Sequence, residues 1–290
     1  MNRVLLLLAG ILLASAGFAQ TDTTKQDGVD TVKVGNFIII RKNKDKDKSV
    51  SEPNTKKYVF NVEIEDGYRR RRNNTNVTTN WLILDLGFAN WRDETDYSSP
   101  EVMNSAYLHR APTDAPYTKN DFALRNVKSS NVNIWLFMQK LNIVNHQFNL
   151  KYGLGYEMYN FRYETNISYH KNPAYIWRDT LSFSKNKLFA GYATIPLMLN
   201  YTPNPGRRHG FTVSAGMSAG YLLGSRNKQI SGERGKEKIK GNIGLDDWRI
   251  AYVAEIGFGP IKLYGSYSVN PLHEQTLKQY PFAFGIRFSN

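Results

Sequence analysis

Residues 279–288 read Gln-Tyr-Pro-Phe-Ala-Phe-Gly-Ile-Arg-Phe, with a large apolar residue at every second position. In a β-strand this period of two puts the large residues on one face and residues such as Gly285 and Arg287 on the other. A strand that is apolar outside and small or polar inside is typical of a sheet whose outer surface is lipid. The alternative is an edge strand of a soluble sandwich, whose aromatic row needs a second sheet to cover it.

Seven further segments of similar length precede this stretch, each near the 9–11 residues that a tilted membrane strand needs. They cover residues 81–90, 132–141, 147–159, 188–201, 210–222, 248–258 and 261–269. Most of them alternate apolar with small or polar residues, as a barrel between lipid and a polar lumen requires. In 132–141 the face assignment is ambiguous, because two alternating sets compete for the outer face: Ile134, Leu136 and Met138 on one side, and Trp135 and Phe137 on the other.

The connections between these segments run long, short, long, short along the chain. They cover residues 91–130, 142–146, 164–187, 202–209, 224–247, 259–260 and 270–278. Outer-membrane barrels join their strands by short periplasmic turns and longer extracellular loops. The fold class that both patterns predict is all-β: a transmembrane up-and-down antiparallel β-barrel of about eight strands.

The N-terminus has the pattern of a secretory signal peptide over residues 1–19. Arg3 supplies the positive charge, residues 4–13 the apolar core, and Gly17-Phe18-Ala19 the cleavage site. The alternative, a membrane anchor, is disfavoured because the apolar run is short. With no cysteine, neither a lipoprotein anchor nor a disulfide or thiolate metal site can form. We therefore expect export to the outer membrane of a Gram-negative bacterium.

Residues 20–79 differ in composition from the predicted barrel at 80–290. Runs of mixed charge over 41–48 and of arginine over 69–72 cannot build a core. We predict a short periplasmic extension, partly disordered, in which one small hairpin can form. The four arginines suit anionic lipid headgroups or an acidic partner, although a solvated linker is the favoured interpretation.

Several short motifs resemble a known family. They are 30–42, 81–87, Ile195-Pro196-Leu197, 216–221 and 284–288. Together they resemble the PorT-like outer-membrane β-barrel domain of Bacteroidetes. The resemblance implies an integral outer-membrane barrel of about eight strands and little chemistry, because that family is functionally diverse. The last strand also resembles the C-terminal insertion signal of such barrels, which implies the barrel-assembly machinery as a partner during insertion. The residues that carry this signal are Tyr280, Phe282, Phe284, Gly285 and Phe288.

The predicted inward faces carry a set of charged residues, with many glycines between them. They are Asp85, Lys151, Glu157, Arg249, Glu255, Lys262 and Arg287. Counting from the tight turn at 259–260, we expect Glu255 and Lys262 to form a direct cross-strand pair. We expect Arg287 at the same periplasmic height. Glu157 and Arg249 lie nearer the outer end. The set is either an ion-conducting polar file or a salt-bridged plug, and an interior as narrow as eight strands enclose favours the plug.

A catalytic constellation cannot be assembled from the sequence. The outer loops contain His109, His170 and His273 near Asp114, Asp121 and Glu274, which imitates a barrel protease or acyltransferase site. No spacing marks a nucleophile–base pair, and a loop histidine is usually a surface residue. No metal-ligand spacing or glycine-rich phosphate loop is present. We therefore expect no enzyme activity, cofactor or metal.

The third outer loop is strongly basic. Its cations are Arg226, Lys228, Arg234, Lys236, Lys238 and Lys240. On the outer surface the nearest polyanion is the lipopolysaccharide phosphate layer, which such a loop would bridge. The alternative is a flexible, solvated loop, and the sequence favours neither. The net charge of +13 does not indicate nucleic-acid binding, because the chain is exported and lacks a nucleic-acid-binding module.

The sequence thus predicts a small closed barrel without catalytic activity that acts in surface interaction or as an accessory to an envelope or secretion complex. Its expected partners are outer-membrane lipid, lipopolysaccharide and an envelope protein. The alternatives are a barrel enzyme acting on lipid or peptide and a narrow solute pore.

Overall fold

A computed structural model describes residues 29–34, 37–42, 60–64, 75–205 and 210–289. The chain divides into two compact units, Met1–Asn73 and Asn74–Asn290. In the first unit β1 (Val29–Val34), β2 (Phe37–Lys42) and β3 (Phe60–Ile64) pair antiparallel in that order, one strand more than a hairpin. The predicted signal peptide and the arginine run at 69–72 lie outside the described residues. The assignment of 20–79 to a periplasmic extension therefore stays a prediction.

The second unit is a closed barrel of eight antiparallel strands. They are β4 (Val77–Asp93), β5 (Ser130–Val144), β6 (Phe148–Arg162), β9 (Lys185–Tyr201), β10 (Phe211–Ser231), β12 (Trp248–Phe258), β13 (Ile261–Ser268) and β14 (Gln279–Phe288). Each strand pairs with the next one in this series, β14 pairs with β4, and the ring is complete. The predicted fold class is confirmed.

The longer connections contain secondary structure of their own. The second holds a hairpin of β7 (Ile167–His170) and β8 (Tyr175–Arg178), and the third holds β11 (Gly235–Lys240), which pairs with the end of β10. The first holds the short helix α1 (Pro100–Met103) and two 3-10 turns, Lys119–Phe122 and Asn126–Lys128. Among the described residues, no helix has the length and hydrophobicity needed to cross a membrane.

The outer surface of the barrel has an apolar belt between two levels of paired aromatic rings. Phe211 and Phe258 pair at the level of the short turns, with ring centroids 5.2 Å apart. Tyr221 and Trp248 pair at the other level, also 5.2 Å apart. These two pairs are ten residues apart on β10, which at a tilt of about 40° spans roughly 25 Å, the height expected of a lipid-facing band. Longer strands continue beyond this belt, β10 to 21 residues in all, which the sequence did not predict.

A β-bulge in β5 resolves the ambiguous face assignment. Trp135 pairs with Gly155 and Phe137 pairs with Leu154, so Leu136 is an extra residue in β5. Leu136 and Phe137 both lie on the outer side, and Trp135 and Met138 both point inward and are buried. A bulge exchanges the faces of a strand at one point, so that neither alternating pattern holds along its whole length.

A second bulge lies in β10, at the upper edge of the apolar belt. Leu222 pairs with Tyr192 and Gly224 pairs with Gly191, which leaves Leu223 as the extra residue. Before the bulge even-numbered residues such as Ser214 point inward, and after it odd-numbered residues such as Asn227 do. The bulge therefore places Arg226 and Lys228 on the outer side.

Candidate functional site

A charged cluster fills the lumen on the side of the short turns, with the Asp85 carboxylate at its centre. The Arg287 guanidinium donates to both Asp85 oxygens, each at 2.7 Å. Trp135 Nε1 donates to the same carboxylate at 2.7 Å, and the Asn133 amide donates at 3.1 Å. The guanidinium also lies 5.1 Å from the Trp135 ring centroid. Arg287 thus brings the terminal strand into contact with β4 and β5 inside the barrel.

The same guanidinium reaches a second carboxylate, Glu255 on β12. Arg287 Nη1 donates to Glu255 Oε2 at 2.5 Å, and Ser214 Oγ donates to Glu255 Oε1 at 2.8 Å. Lys151, from β6, three strands away in the ring, forms an ion pair with Glu255. The predicted direct pair of Glu255 with Lys262 is wrong. Because Phe258 pairs with Ile261, Glu255 lies opposite Tyr264, and Lys262 lies opposite Gly257 nearer the turn.

A second ion pair closes the lumen nearer its outer end. Arg249 Nη1 donates to Glu157 Oε2 at 2.9 Å, and the guanidinium lies 4.7 Å from the Tyr159 ring centroid. Both charged side chains are almost completely buried. Between this pair and the Asp85 cluster lies a cavity of about 10 Å³, lined by Asn133 and Trp135 among others. That volume is on the order of one water molecule, too small for a file of waters or a solute.

All seven charged residues predicted for the lumen are buried inside the barrel. Six of them form the ion pairs above, and Lys262 lies nearest the short turn at 259–260. Sequence reasoning missed the neutral groups that complete the hydrogen bonds of the carboxylates, Asn133, Trp135 and Ser214. Asn133 could have been found from its spacing, because it lies two residues after Asn131 and the two therefore share one face of the strand. Trp135 could not, because the bulge hides the alternation that would have shown it pointing inward.

The outer mouth of the barrel is closed by the four long loops, which pack into one cap. The first loop joins the second where the Ile176 amide donates to the Tyr107 carbonyl at 2.7 Å. It joins the third where the Tyr107 hydroxyl donates to the Ile243 carbonyl at 2.9 Å. Inward residues of the upper barrel, such as Trp91 and Phe161, belong to the same apolar core as the loop residues. The core is therefore continuous from barrel to cap.

His273 lies inside this cap, although a loop histidine is expected to lie on the surface. Only 1% of it is exposed. Its Nε2 lies 3.0 Å from the Tyr169 hydroxyl, which lies 2.6 Å from the Tyr163 hydroxyl. Its other ring nitrogen, Nδ1, has no partner among the described residues. Burial lowers the pKa of His273 to about 3, so the imidazole is neutral at physiological pH.

The other loop histidines are not joined to the acids that suggested a catalytic site. His109 is exposed, and His170 stacks on Tyr175 at the cap surface. Asp121 instead accepts two hydrogen bonds from Arg178, at 2.7 and 2.9 Å. Although burial opposes it, bonding to Arg178 and Thr118 lowers the pKa of Asp121. Among the described residues, no histidine accordingly forms a base–orienter pair with a carboxylate.

The basic residues of the third loop lie mainly on the hairpin of β10 and β11, which is a paired ladder. Arg226 and Lys228 point outward from β10, and Lys236, Lys238 and Lys240 are exposed on β11. Arg234 lies in the turn and forms an ion pair with the buried carboxylate of Asp179, at 2.6 Å. The hairpin is thus anchored to the second loop.

In β14, which is predicted to carry the insertion signal, Tyr280, Phe282, Phe284 and Phe288 lie on the lipid-facing side. Gly285 lies opposite Gly87 of β4. The Tyr264 hydroxyl passes over this glycine pair and donates to Asn131 at 2.7 Å, and a Cβ on Gly87 would collide with it. Gly87 therefore makes room for the buried Tyr264 hydroxyl, whereas a Cβ on Gly285 would collide with the backbone of Leu86 and Gly87.

Comparison with known proteins agrees with this architecture. The family model described as outer membrane protein beta-barrel domain matches residues 97–274, more than half of the chain. The chain belongs to this family. Membership places it in the outer membrane, with the long loops on the extracellular side. No curated protein matches the chain.

The chain is also similar to a solved structure, that of Ail, the attachment invasion locus protein of Yersinia pestis, crystallised with the heparin analogue sucrose octasulfate. The two are 12% identical, and the match covers 73% of this chain and 99% of Ail, with a TM-score of 0.30. The finer resemblance to the PorT-like group stays a prediction.

Proposed function

We propose that this outer-membrane β-barrel is a closed, non-catalytic protein that acts through its extracellular surface, in surface interaction or as an accessory to an envelope or secretion complex. The observation that carries the proposal is the filled lumen. Two layers of buried ion pairs and a continuous apolar core separate the periplasmic mouth from the outside. The surface that other molecules can bind is then the outer face of the cap and of the strand ends.

The filled lumen argues against the solute-pore alternative. Buried charges that are paired and hydrogen-bonded hold a narrow barrel closed, since separating them in a dry interior is costly. An accessory role fits a rigid cap better than a flexible one. A surface held by hydrogen bonds between all four loops loses little conformational entropy when it binds a partner.

Purified protein added to a planar lipid bilayer should produce no discrete conductance steps. A general porin in the same bilayer serves as the detection control. The reason is that the gap between the two charged layers holds about one water. Regular steps from the wild-type protein, of one reproducible size, would contradict a closed barrel and restore the pore alternative.

The double substitution His109→Ala and His170→Ala should leave the lipid A and outer-membrane protein profiles of the producing cells unchanged. Both histidines are accessible, and neither is paired with a carboxylate among the described residues. Cells without the protein are the reference, and mass spectrometry of extracted lipid A is the readout. A lipid or peptide product that appears with wild type and is lost in the double variant would make the protein an enzyme.

A further inference from the structure

The extracellular ends of four strands carry a basic face on the outside of the barrel. Its central row consists of Arg162, Lys187, Lys228 and Lys238, which lie directly opposite one another across β6, β9, β10 and β11. We call these four residues the basic row. The neighbouring rows add four more cations at the same face: Lys185, Arg226, Lys236 and Lys240.

The side chains of the basic row point away from the cap core. On β9 and β10 they alternate with buried Asn186, Asn227 and Gln229, which point inward. The bulge at Leu223 makes this possible, because without it Asn227 would face outward and Lys228 inward. Three of the eight cations, Arg162, Lys185 and Lys187, lie outside the loop that the sequence singled out.

The charge of this face is not neutralised within the described part of the chain. Directly opposed like charges on neighbouring strands destabilise a sheet, and the strands lie only about 4.8 Å apart. Lys187 Nζ donates to the neutral Asn160 amide oxygen at 2.7 Å, and none of the eight cations forms an ion pair with a described residue. The Arg226 guanidinium lies 4.5 Å from the Phe189 ring, and its Nε lacks an acceptor there. The nearby acid Glu237 lies opposite inward-pointing Gln229.

The height of the face relative to the membrane identifies the anion. Arg226 and Lys228 follow Tyr221, an upper aromatic ring of the lipid belt, by five and seven residues on the same strand. At about 3.3 Å per residue and a tilt of about 40°, they lie roughly 10–18 Å beyond that ring. Long lysine side chains can reach back toward the interface. Because the face lies on the outer side of the barrel wall, its side chains point parallel to the membrane plane, toward neighbouring lipid headgroups.

We propose that this face binds the phosphate groups of the phosphorylated glycolipid of the outer leaflet, lipopolysaccharide, so that the basic row replaces the divalent cations that otherwise bridge those phosphates. The inference rests on the proposed surface function and names its ligand. The phosphates of that glycolipid are charge-assisted acceptors for the lysines and arginines of the face. Arg234 takes no part, because it is paired with Asp179.

The test places the full-length protein in phosphatidylcholine nanodiscs that contain a few per cent of bisphosphorylated lipid A or of its dephosphorylated form. After exchange into detergent with EDTA, native mass spectrometry counts the lipid A that stays bound. We expect at least about tenfold more retention of the phosphorylated lipid, decreasing as salt is raised. The triple substitution Lys187→Gln, Lys228→Gln and Lys238→Gln should reduce that retention about 10- to 100-fold.

The matched control is Lys119→Gln, Lys128→Gln and Lys171→Gln, which removes the same charge from exposed positions elsewhere on the outer loops. Its retention should equal that of wild type. Heat-modifiable electrophoretic mobility verifies that both triple variants are folded barrels. Equal losses in the two variants would show a net-charge effect and overturn the site. Undiminished retention in the basic-row variant, or retention that EDTA abolishes, would also overturn it.

A soluble sulfated polysaccharide, added to nanodiscs without lipid A, tests whether the face binds an extracellular polyanion instead. Tighter binding of that chain than of lipid A, lost in the basic-row variant, would assign the face to an extracellular polymer and refute the lipid. These outcomes leave the closed barrel intact. Conductance steps would instead refute the proposed function without affecting lipid retention.

Discussion

Arg287→Ala should lower the free energy of unfolding by about 3–5 kcal/mol, because it leaves the Asp85 and Glu255 carboxylates buried without their shared cation. The measurement is urea unfolding of protein refolded into lipid vesicles, followed by tryptophan fluorescence. Working on refolded protein separates the lumen contact from any effect on insertion, since Arg287 belongs to the terminal strand.

Arg92→Ala is the matched control for that variant. Arg92 pairs with Glu94 at 2.7 Å, but both side chains are exposed, so its loss should cost about 0–1 kcal/mol. Adding Asp85→Asn to Arg287→Ala should recover part of the loss, because Asp85 is then the carboxylate without a cation, whereas Glu255 keeps its ion pair with Lys151. If Arg287→Ala unfolds at the same urea concentration as Arg92→Ala, the buried ion pairs do not hold the lumen closed.

The cap should become easier to open as the pH falls below about 6.5. His273 has a pKa of about 3 in the folded cap, against an ordinary value of 6.5. Between these values the opened loop binds a proton that the folded cap excludes. The free energy of opening the cap is therefore highest above pH 6.5 and decreases toward pH 3. The loss should be about 1.4 kcal/mol per pH unit, or about 2 kcal/mol between pH 6.5 and 5.

Hydrogen exchange of the Leu272 and Glu274 amides reports this opening, because they donate to Gln279 and Gly244 in the cap. His273→Gln retains a hydrogen-bonding group for Tyr169 but cannot titrate. In this variant the exchange rates of the two amides, corrected for the intrinsic pH effect, should no longer depend on pH. His170→Gln, at the cap surface, should keep the pH dependence. A pH dependence that persists in His273→Gln would show that another group controls the opening.

The strand faces were predictable wherever the period of two is unbroken. In β6, Lys151 and Glu157 alternate with apolar residues along the whole segment, and the structure places them inward as predicted. In β5 the extra residue Leu136 breaks the period, so the sequence could not tell that Trp135 points inward toward Asp85. Alternation reports the face of each residue only relative to its neighbours on the same strand.

Contacts across the lumen were less accessible from the sequence. The pairing of Glu255 with Lys262 followed from counting outward from a tight turn, but the register there puts Tyr264 opposite Glu255. The actual partner of Glu255 is Lys151 on β6, which is not adjacent to β12. Pairing rules apply only to adjacent strands, so they could not predict this contact. The cap was not predictable at all, because His273 and Tyr169 lie in segments without a repeating pattern and meet only through the fold.

The bulge at Leu223 has a consequence for how this strand tolerates insertions and deletions. Losing that one residue would shorten β10 only slightly, yet it would exchange the two sides of everything from Gly224 to Ser231. Lysine and arginine would then be driven into the cap core, and asparagine and glutamine would face the lipid headgroups. During divergence, changes in the length of β10 between the bulge and Ser231 are thus acceptable only two residues at a time, unless a compensating change restores the parity.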